Sequence, residues 1–347
     1  MKKTLAALIV TAFAASAANA AVVYDNEGTK VELNGSLRVI MEKADKKEYD
    51  AANHSTKKSN SALRNAGSRF GITVKHNLDN DFYALGRVEF RFDDTTSRDK
   101  FGGVYAKRAY VGLGSKAIGE LKFGRQLTIA DDLTQANDYD YGFIPKEEYI
   151  PTAGTGVVRY DYKGIEGLQL SANYNFGQTN DEKGNPLKPG IKNAYAVGAL
   201  YTAGDLDARF AYGHTNYETG ASYKHRLDGF LASLGYKFGD FTLTGDFAYG
   251  HDKFDDKKTN KFYVAPGFAY QVLPASKVYG NYLYERVKGE NTKDKTHGFL
   301  LGADYKLHKQ VVLFVEGKYV TTKEYVNDTY DGKTKDRAIG VGMRVFF

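Results

Sequence analysis

From about Lys30 to Phe347, apolar and polar side chains alternate with a period of two. Val31, Leu33, Leu37, Val39 and Met41 alternate with Glu32, Asn34, Ser36 and Arg38. Phe82, Val88, Phe90 and Phe92 are interleaved with Tyr83, Arg87, Glu89 and Arg91, and the chain ends on Ile339, Val341, Met343, Val345 and Phe347. Alternation sustained this way places successive side chains on opposite faces of a strand, one apolar and one polar. The hairpin signals predict about sixteen strands: 30–42, 62–77, 81–93, 101–114, 118–126, 154–162, 167–177, 191–202, 205–217, 225–238, 240–253, 261–271, 276–288, 296–306, 310–322 and 336–347.

The predicted connections alternate in length. Short turns fall at Asp79-Asn80, Ser115-Lys116, Lys163-Gly164, Gly204-Asp205, Gly239-Asp240, Pro274-Ala275 and His308-Lys309. Long polar segments fall between them, at Lys43 to Ser61, Leu127 to Ala153, Gly177 to Gly190 and Asp252 to Asn260. A soluble sandwich has no reason to sort its loops by side, whereas a membrane barrel has short turns on one side and long loops on the other. The polar face is rich in charge, with Glu32, Arg38, Arg69, Lys75, Arg87, Glu89 and Arg91. Mean hydropathy is low, −0.49, which fits a wet interior. A closed sheet is the only kind that can span lipid, because it leaves no unpaired edge. At sixteen strands it is too wide for side chains to fill and leaves an aqueous channel. The expected fold is all-β, a sixteen-stranded antiparallel transmembrane barrel.

Composition narrows the alternatives. The 347 residues include no Cys, which removes disulfides, thiolate metal sites and a cysteine nucleophile. Met1-Lys2-Lys3, the apolar run Leu5 to Ala18 and the small-x-small sequence Ala18-Asn19-Ala20 together read as a signal peptide over 1–20, cleaved between Ala20 and Ala21, with the barrel over 21–347. Loss of Lys2 and Lys3 with the leader takes the net charge from +6 to +4. No later apolar stretch approaches the ~18 residues of a membrane helix.

The stretch Ala21-Val22-Val23-Tyr24-Asp25-Asn26-Glu27-Gly28-Thr29-Lys30-Val31-Glu32-Leu33-Asn34-Gly35 resembles the start of Gram-negative general porins, above all the major porin of the Haemophilus/Pasteurella group. Ser68-Arg69-Phe70-Gly71, Arg108-Ala109-Tyr110-Val111-Gly112-Leu113, Phe123-Gly124-Arg125-Gln126 and Val158-Arg159-Tyr160-Asp161 extend the resemblance in order and spacing. The terminal Phe347 resembles the signal read by the barrel-assembly machinery. The resemblance implies a homotrimer in the outer membrane, surrounded by lipid and lipopolysaccharide, in which each barrel passes ions and small hydrophilic solutes passively and needs no cofactor.

It further implies that the third long loop, here 127–153, folds into the lumen as a constriction. Its acids are Asp131, Asp132, Asp138, Asp140, Glu147 and Glu148. Ile144-Pro145-Lys146-Glu147 stands where the family has a Pro-Glu-Phe turn, so the carboxylate register is open by one or two positions. The facing wall should carry Arg69, with Glu89 behind it, and Arg38, Arg87 and Arg91 nearby. Lys107 and Arg108 compete for one basic position, since alternation alone cannot turn both inward. Ser36 stands where enteric porins have Lys, and a later Arg of the enteric cluster aligns near Ala153. Acids facing guanidinium groups across a wet constriction create a transverse field that sorts solutes by size, charge and dipole.

Other chemistry is not supported. The seven His show no two-His metal spacing, Gly154-x-Gly156 lacks the third Gly of a nucleotide loop, and no Gly-x-Ser-x-Gly elbow occurs. The expectation is no enzyme and no metal. Mixed charge along the chain argues against nucleic acid. Two alternatives stay open: a sugar-selective channel, for which Tyr83, Tyr110 and Tyr139 are possible members of an aromatic track, and an exported β-sandwich adhesin.

Overall fold

The computed structural model describes residues 20–92, 103–181, 183–220 and 223–347. The predicted leader, apart from Ala20, lies outside them, as do the ends of two predicted strands at 93 and 101–102.

The strands are β1 (Ala21–Asn26), β2 (Thr29–Tyr49), β3 (Ser55–Asn65), β4 (Arg69–Asn77), β5 (Phe82–Phe92), β6 (Val104–Ser115), β7 (Gly119–Leu127), β8 (Ala153–Ile165), β9 (Leu168–Asn175), β10 (Gln178–Asn180), β11 (Pro186–Ala203), β12 (Leu206–Tyr217), β13 (His225–Phe238), β14 (Phe241–Phe254), β15 (Lys257–Leu273), β16 (Ser276–Lys288), β17 (Thr292–His308), β18 (Val311–Val326) and β19 (Thr329–Phe346). Consecutive strands pair antiparallel, apart from β3 with β4 and β9 with β10, and β19 pairs with β2, so the sheet closes on itself. β3 and β4 both lie along β2 as one interrupted stave, and β9 and β10 both lie along β11 as another. The wall therefore has sixteen staves.

Closure is completed at the chain ends. Gly35 and Phe347 exchange both backbone hydrogen bonds, at 2.8 and 3.1 Å. Just beyond, β1 pairs with Thr29–Leu33 of β2 through a turn in which Glu27 and Gly28 both have positive φ. Such a turn matches strand twist. The alternation that begins at Lys30 does not reveal β1.

The faces are inverted relative to a soluble protein. Met41, Val111 and Leu301 point outward and are each more than 60% exposed. Inward positions hold buried polar groups such as Asn34, Ser36, Glu89, Asp161, Asn173 and Asp246. The sandwich reading fails on this point: its apolar face would have to be the core. Two short apolar clusters do occur inside, where the barrel wall meets the loop after β7.

Three connections differ from expectation. Lys43 to Ser61 is mostly not a loop, because β2 and β3 continue outward as a hairpin with pairs such as Lys46↔Lys58. Asp252 to Asn260 contracts to a two-residue turn between β14 and β15. The strand expected over 62–77 breaks at 66–68, where Gly67 has φ +82 and the Ser68 N–H donates to the Asn65 side chain at 2.7 Å. Polar strands standing in water carry no apolar face to mark them, which is why pattern reading ends them early.

Candidate functional site

The segment between β7 and β8 turns into the barrel. Its neck is tied by Thr128, whose N–H donates to Thr152 O at 2.9 Å and whose hydroxyl donates to Pro151 O at 2.6 Å. Ile129, Ala130, Leu133, Tyr149 and Ile150 are fully buried against inward-facing Ala196, Ala211, Leu231, Ala248 and Leu283. The wall makes room with small residues there: a Cβ on Gly229 would collide with the Tyr149 carbonyl.

Polar anchors fix the rest of the loop. Glu316, fully buried on β18, accepts the N–H groups of Tyr139, Asp140 and Tyr141 at 2.7, 2.9 and 2.6 Å, and the Tyr279 hydroxyl at 2.9 Å. Asp246 on β14 accepts the N–H groups of Gln135 and Ala136 at 3.0 and 3.2 Å. Buried carboxylates are tolerated when several donors satisfy them. Tyr141 packs on Ile40, and Tyr139 stacks on Phe314 at 4.6 Å.

A cavity of about 1020 Å³ lies between this loop and the first staves. Arg69, Arg87, Arg91, Lys107 and Arg108 line one side, with Glu89, and Asp131 and Asp132 line the loop side. Glu89 accepts from Arg87 and from Arg91, each at 2.9 Å, and so holds the two guanidinium groups in place. Arg69 stands opposite Arg91 in the β4–β5 ladder. The choice between Lys107 and Arg108 dissolves in the backbone. Glu89 faces Arg108 while Phe90 faces Ala106, so a bulge inserts Lys107 as an extra residue and both side chains reach the cavity.

Arg38 stands beside this cavity rather than in its lining. It pairs in register with Arg344 and donates to the Ser36 hydroxyl at 2.7 Å. Among the described residues, no carboxylate lies within ion-pair distance of Arg38, Arg69 or Arg344. The loop acids divide into three groups. Asp131 pairs with Lys146 at 3.3 Å, Asp132 with Arg159 at 2.6 Å, and Asp140 with Arg64 at 2.5 Å. Asp138 meets lumen water, and enclosure by the loop and barrel, with the nearby Glu316 carboxylate, pushes its carboxyl up to about 6. Glu147 and Glu148 are exposed on a short 3-10 turn and do not line the cavity.

Several wall residues were not anticipated. Arg344 donates to the Tyr139 carbonyl and lies 4.6 Å over the Tyr139 ring. Arg64 bridges Glu42 and Asp140. Arg209 donates to the Asp132 carbonyl at 2.8 Å. For Arg344 the signal was present, since it falls on the polar side of the terminal alternation; for Arg64 and Arg209 the partners are distant in sequence. The three candidate track tyrosines all face inward but do not form a track. Tyr83 donates to Glu120 at 2.9 Å, Tyr110 lines the cavity, and Tyr139 belongs to the loop. No ring contact joins them among the described residues.

Residues 4–325 match a family model described as Gram-negative porin. The chain is 33% identical over 377 aligned residues to a major outer membrane protein of Pasteurella multocida strain Pm70, with both chains covered in full. Among solved structures, it superposes on the trimer form of the outer membrane protein OmpT of Vibrio cholerae with a TM-score of 0.70 at 18% identity, covering 92% of this chain and all of that one. It superposes on an anion-selective porin from Comamonas acidovorans with a TM-score of 0.66 at 19% identity, with coverage of 92% and 100%.

Proposed function

The chain belongs to the Gram-negative porin family, and from that premise we propose how its lumen sorts solutes. It is an outer-membrane general diffusion porin, a closed barrel with a wet interior. The loop over 127–153 is its constriction. Solutes pass between Asp131 and Asp132 on the loop and Arg69, Arg87, Arg91, Lys107 and Arg108 on the wall.

The observation that carries this reading is the cavity itself, where loop acids and wall guanidinium groups face one another across open space. The field between them orients a small dipole, and a polar solute exchanges waters for these groups at little cost. An apolar solute gains nothing to offset the ordered water it displaces. Passage needs no conformational step.

The balance of charge gives a sign. Among the described residues, the cavity lining holds nine basic and six acidic side chains, and the acids are mostly held in ion pairs, whereas Arg69 is not. Local potential therefore favours anions over cations. The chain works as a homotrimer with one pore per subunit, and residues 1–20 are removed on export.

Single-channel conductance of the purified, folded protein in a planar bilayer, with the reversal potential in a KCl gradient, tests this reading. Steps in groups of three and a potential of anion-selective sign are expected. A cation-selective potential overturns the charge assignment.

A further inference from the structure

The constriction loop carries six acids and a single basic residue, Lys146. That lysine opens the short 3-10 turn Lys146–Glu148, on the leg of the loop that returns to the wall. Its ammonium donates to the Asp131 carbonyl at 2.5 Å and to the Thr134 hydroxyl at 3.1 Å, and it pairs with the Asp131 carboxylate at 3.3 Å. An ammonium has three donors, and each finds an acceptor on the outgoing leg, 12 or 15 residues earlier. Between the two legs the chain runs out to the tip that Glu316 holds. Lys146 therefore closes the base of that excursion, as Thr128 and Thr152 close the neck.

The outgoing leg is the 3-10 segment Ile129–Leu133. The last carbonyls of such a segment lack partners within it and attract cations. Asp131 O accepts from Lys146, and Asp132 O accepts from Arg209 of β12 at 2.8 Å. The carboxylates of the same leg are met as well, Asp131 by Lys146 and Asp132 by Arg159 of β8. The two arginines are shared with wall acids, Arg159 with Asp161 and Arg209 with Asp207. Lys146 is not shared: among the described residues, no second carboxylate lies within ion-pair distance of it. The lining of the cavity includes Asp131 and Asp132 but not Lys146. The lysine thus touches the carboxylate that faces solutes without facing them itself.

We propose that Lys146 is a positioning residue that sets the charge selectivity of the channel. It fixes where Asp131 stands in the constriction and neutralises it from behind, so that the guanidinium groups of the wall, rather than the loop, dominate the field. The inference rests on the reading of this loop as the constriction and names the residue that decides how much of the loop's negative charge a solute meets.

Reversal potentials in a KCl gradient and single-channel steps of the purified protein test it. Lys146→Met keeps the apolar stem and removes the charge. The chloride-to-potassium permeability ratio should then fall about threefold, the size of one unit charge at ~7 Å in water. Lys146→Arg keeps the charge and should hold the ratio near the wild-type value, while its planar fork fits the three acceptors less well and makes the current noisier. Lys146→Met combined with Asp131→Asn should return the ratio to that of wild type, because both members of the pair are then gone. A wild-type ratio in Lys146→Met overturns the proposal. So does a double variant that keeps the whole shift of Lys146→Met. A Lys146→Arg variant shifted as far as Lys146→Met also overturns it and leaves the lysine a purely structural tie. If Lys146→Met does not fold, Lys146→Gln, which keeps a donor for the Asp131 carbonyl, takes its place with the same expected shift. A cation-selective wild type overturns the sign proposed for the lumen, whereas this inference is read from the difference between variant and wild type and stands or falls separately.

Discussion

The Glu316 carboxylate accepts the backbone N–H of Tyr141 at 2.6 Å, although the two residues are 175 positions apart. The same carboxylate holds Tyr139 and Asp140, so one side chain on the wall sets the position of the loop tip. Glu316→Ala leaves those three N–H groups without their acceptor, at about 1–3 kcal/mol for a buried donor. The expected result is a loosened loop in an intact barrel: a larger, noisier single-channel current with little change in the barrel's heat stability. Quiet steps of wild-type size would contradict it.

Arg69 stands against Arg91 with no carboxylate of its own, so its charge is available to solutes. Arg69→Ala should widen the passage and shift the reversal potential toward cations. Lys107→Gln and Arg108→Gln should each shift it the same way, because the bulge turns both side chains to the cavity. If only one of the two matters, the bulge does not act as described.

Asp138 should contribute to the pH response of the channel. Its carboxyl is raised to about 6 by enclosure and then by Glu316, so its negative charge is complete above neutrality and lost as pH falls through that value. Ordinary carboxylates stay ionised until about pH 4. Between pH 7.5 and 5.5 the channel should therefore become more anion-selective, and Asp138→Asn should reduce that change. Reversal potentials of both proteins at the two pH values decide the matter.

Val341 and Phe247 face outward and are 55% and 43% exposed. Val341→Arg or Phe247→Arg should each destabilise the membrane-inserted barrel by ~2–4 kcal/mol near the midplane. Urea titration in lipid vesicles would measure it. A neutral outcome would be inconsistent with either residue lying against lipid.

The alternation of apolar and polar residues determined the strand number, the barrel and the turned-out apolar face, because a period of two is a local property of the chain. It also placed Arg69, Arg87, Glu89 and Arg91 on the wet side, since all four fall on the polar face of β4 and β5, whose side chains alternate within each strand. Alternation failed where strands leave the membrane, as over 43–61, because water on both faces removes the contrast that marks a strand. It failed again at Lys107 and Arg108, because a bulge is a change of register that only the partner strand imposes. The ion pair of Asp140 with Arg64 joins residues 76 positions apart, and only the fold of the loop into the barrel brings them together. The loop entered the lumen for the same reason: its anchors, Glu316 and Asp246, lie on strands folded from the other half of the chain.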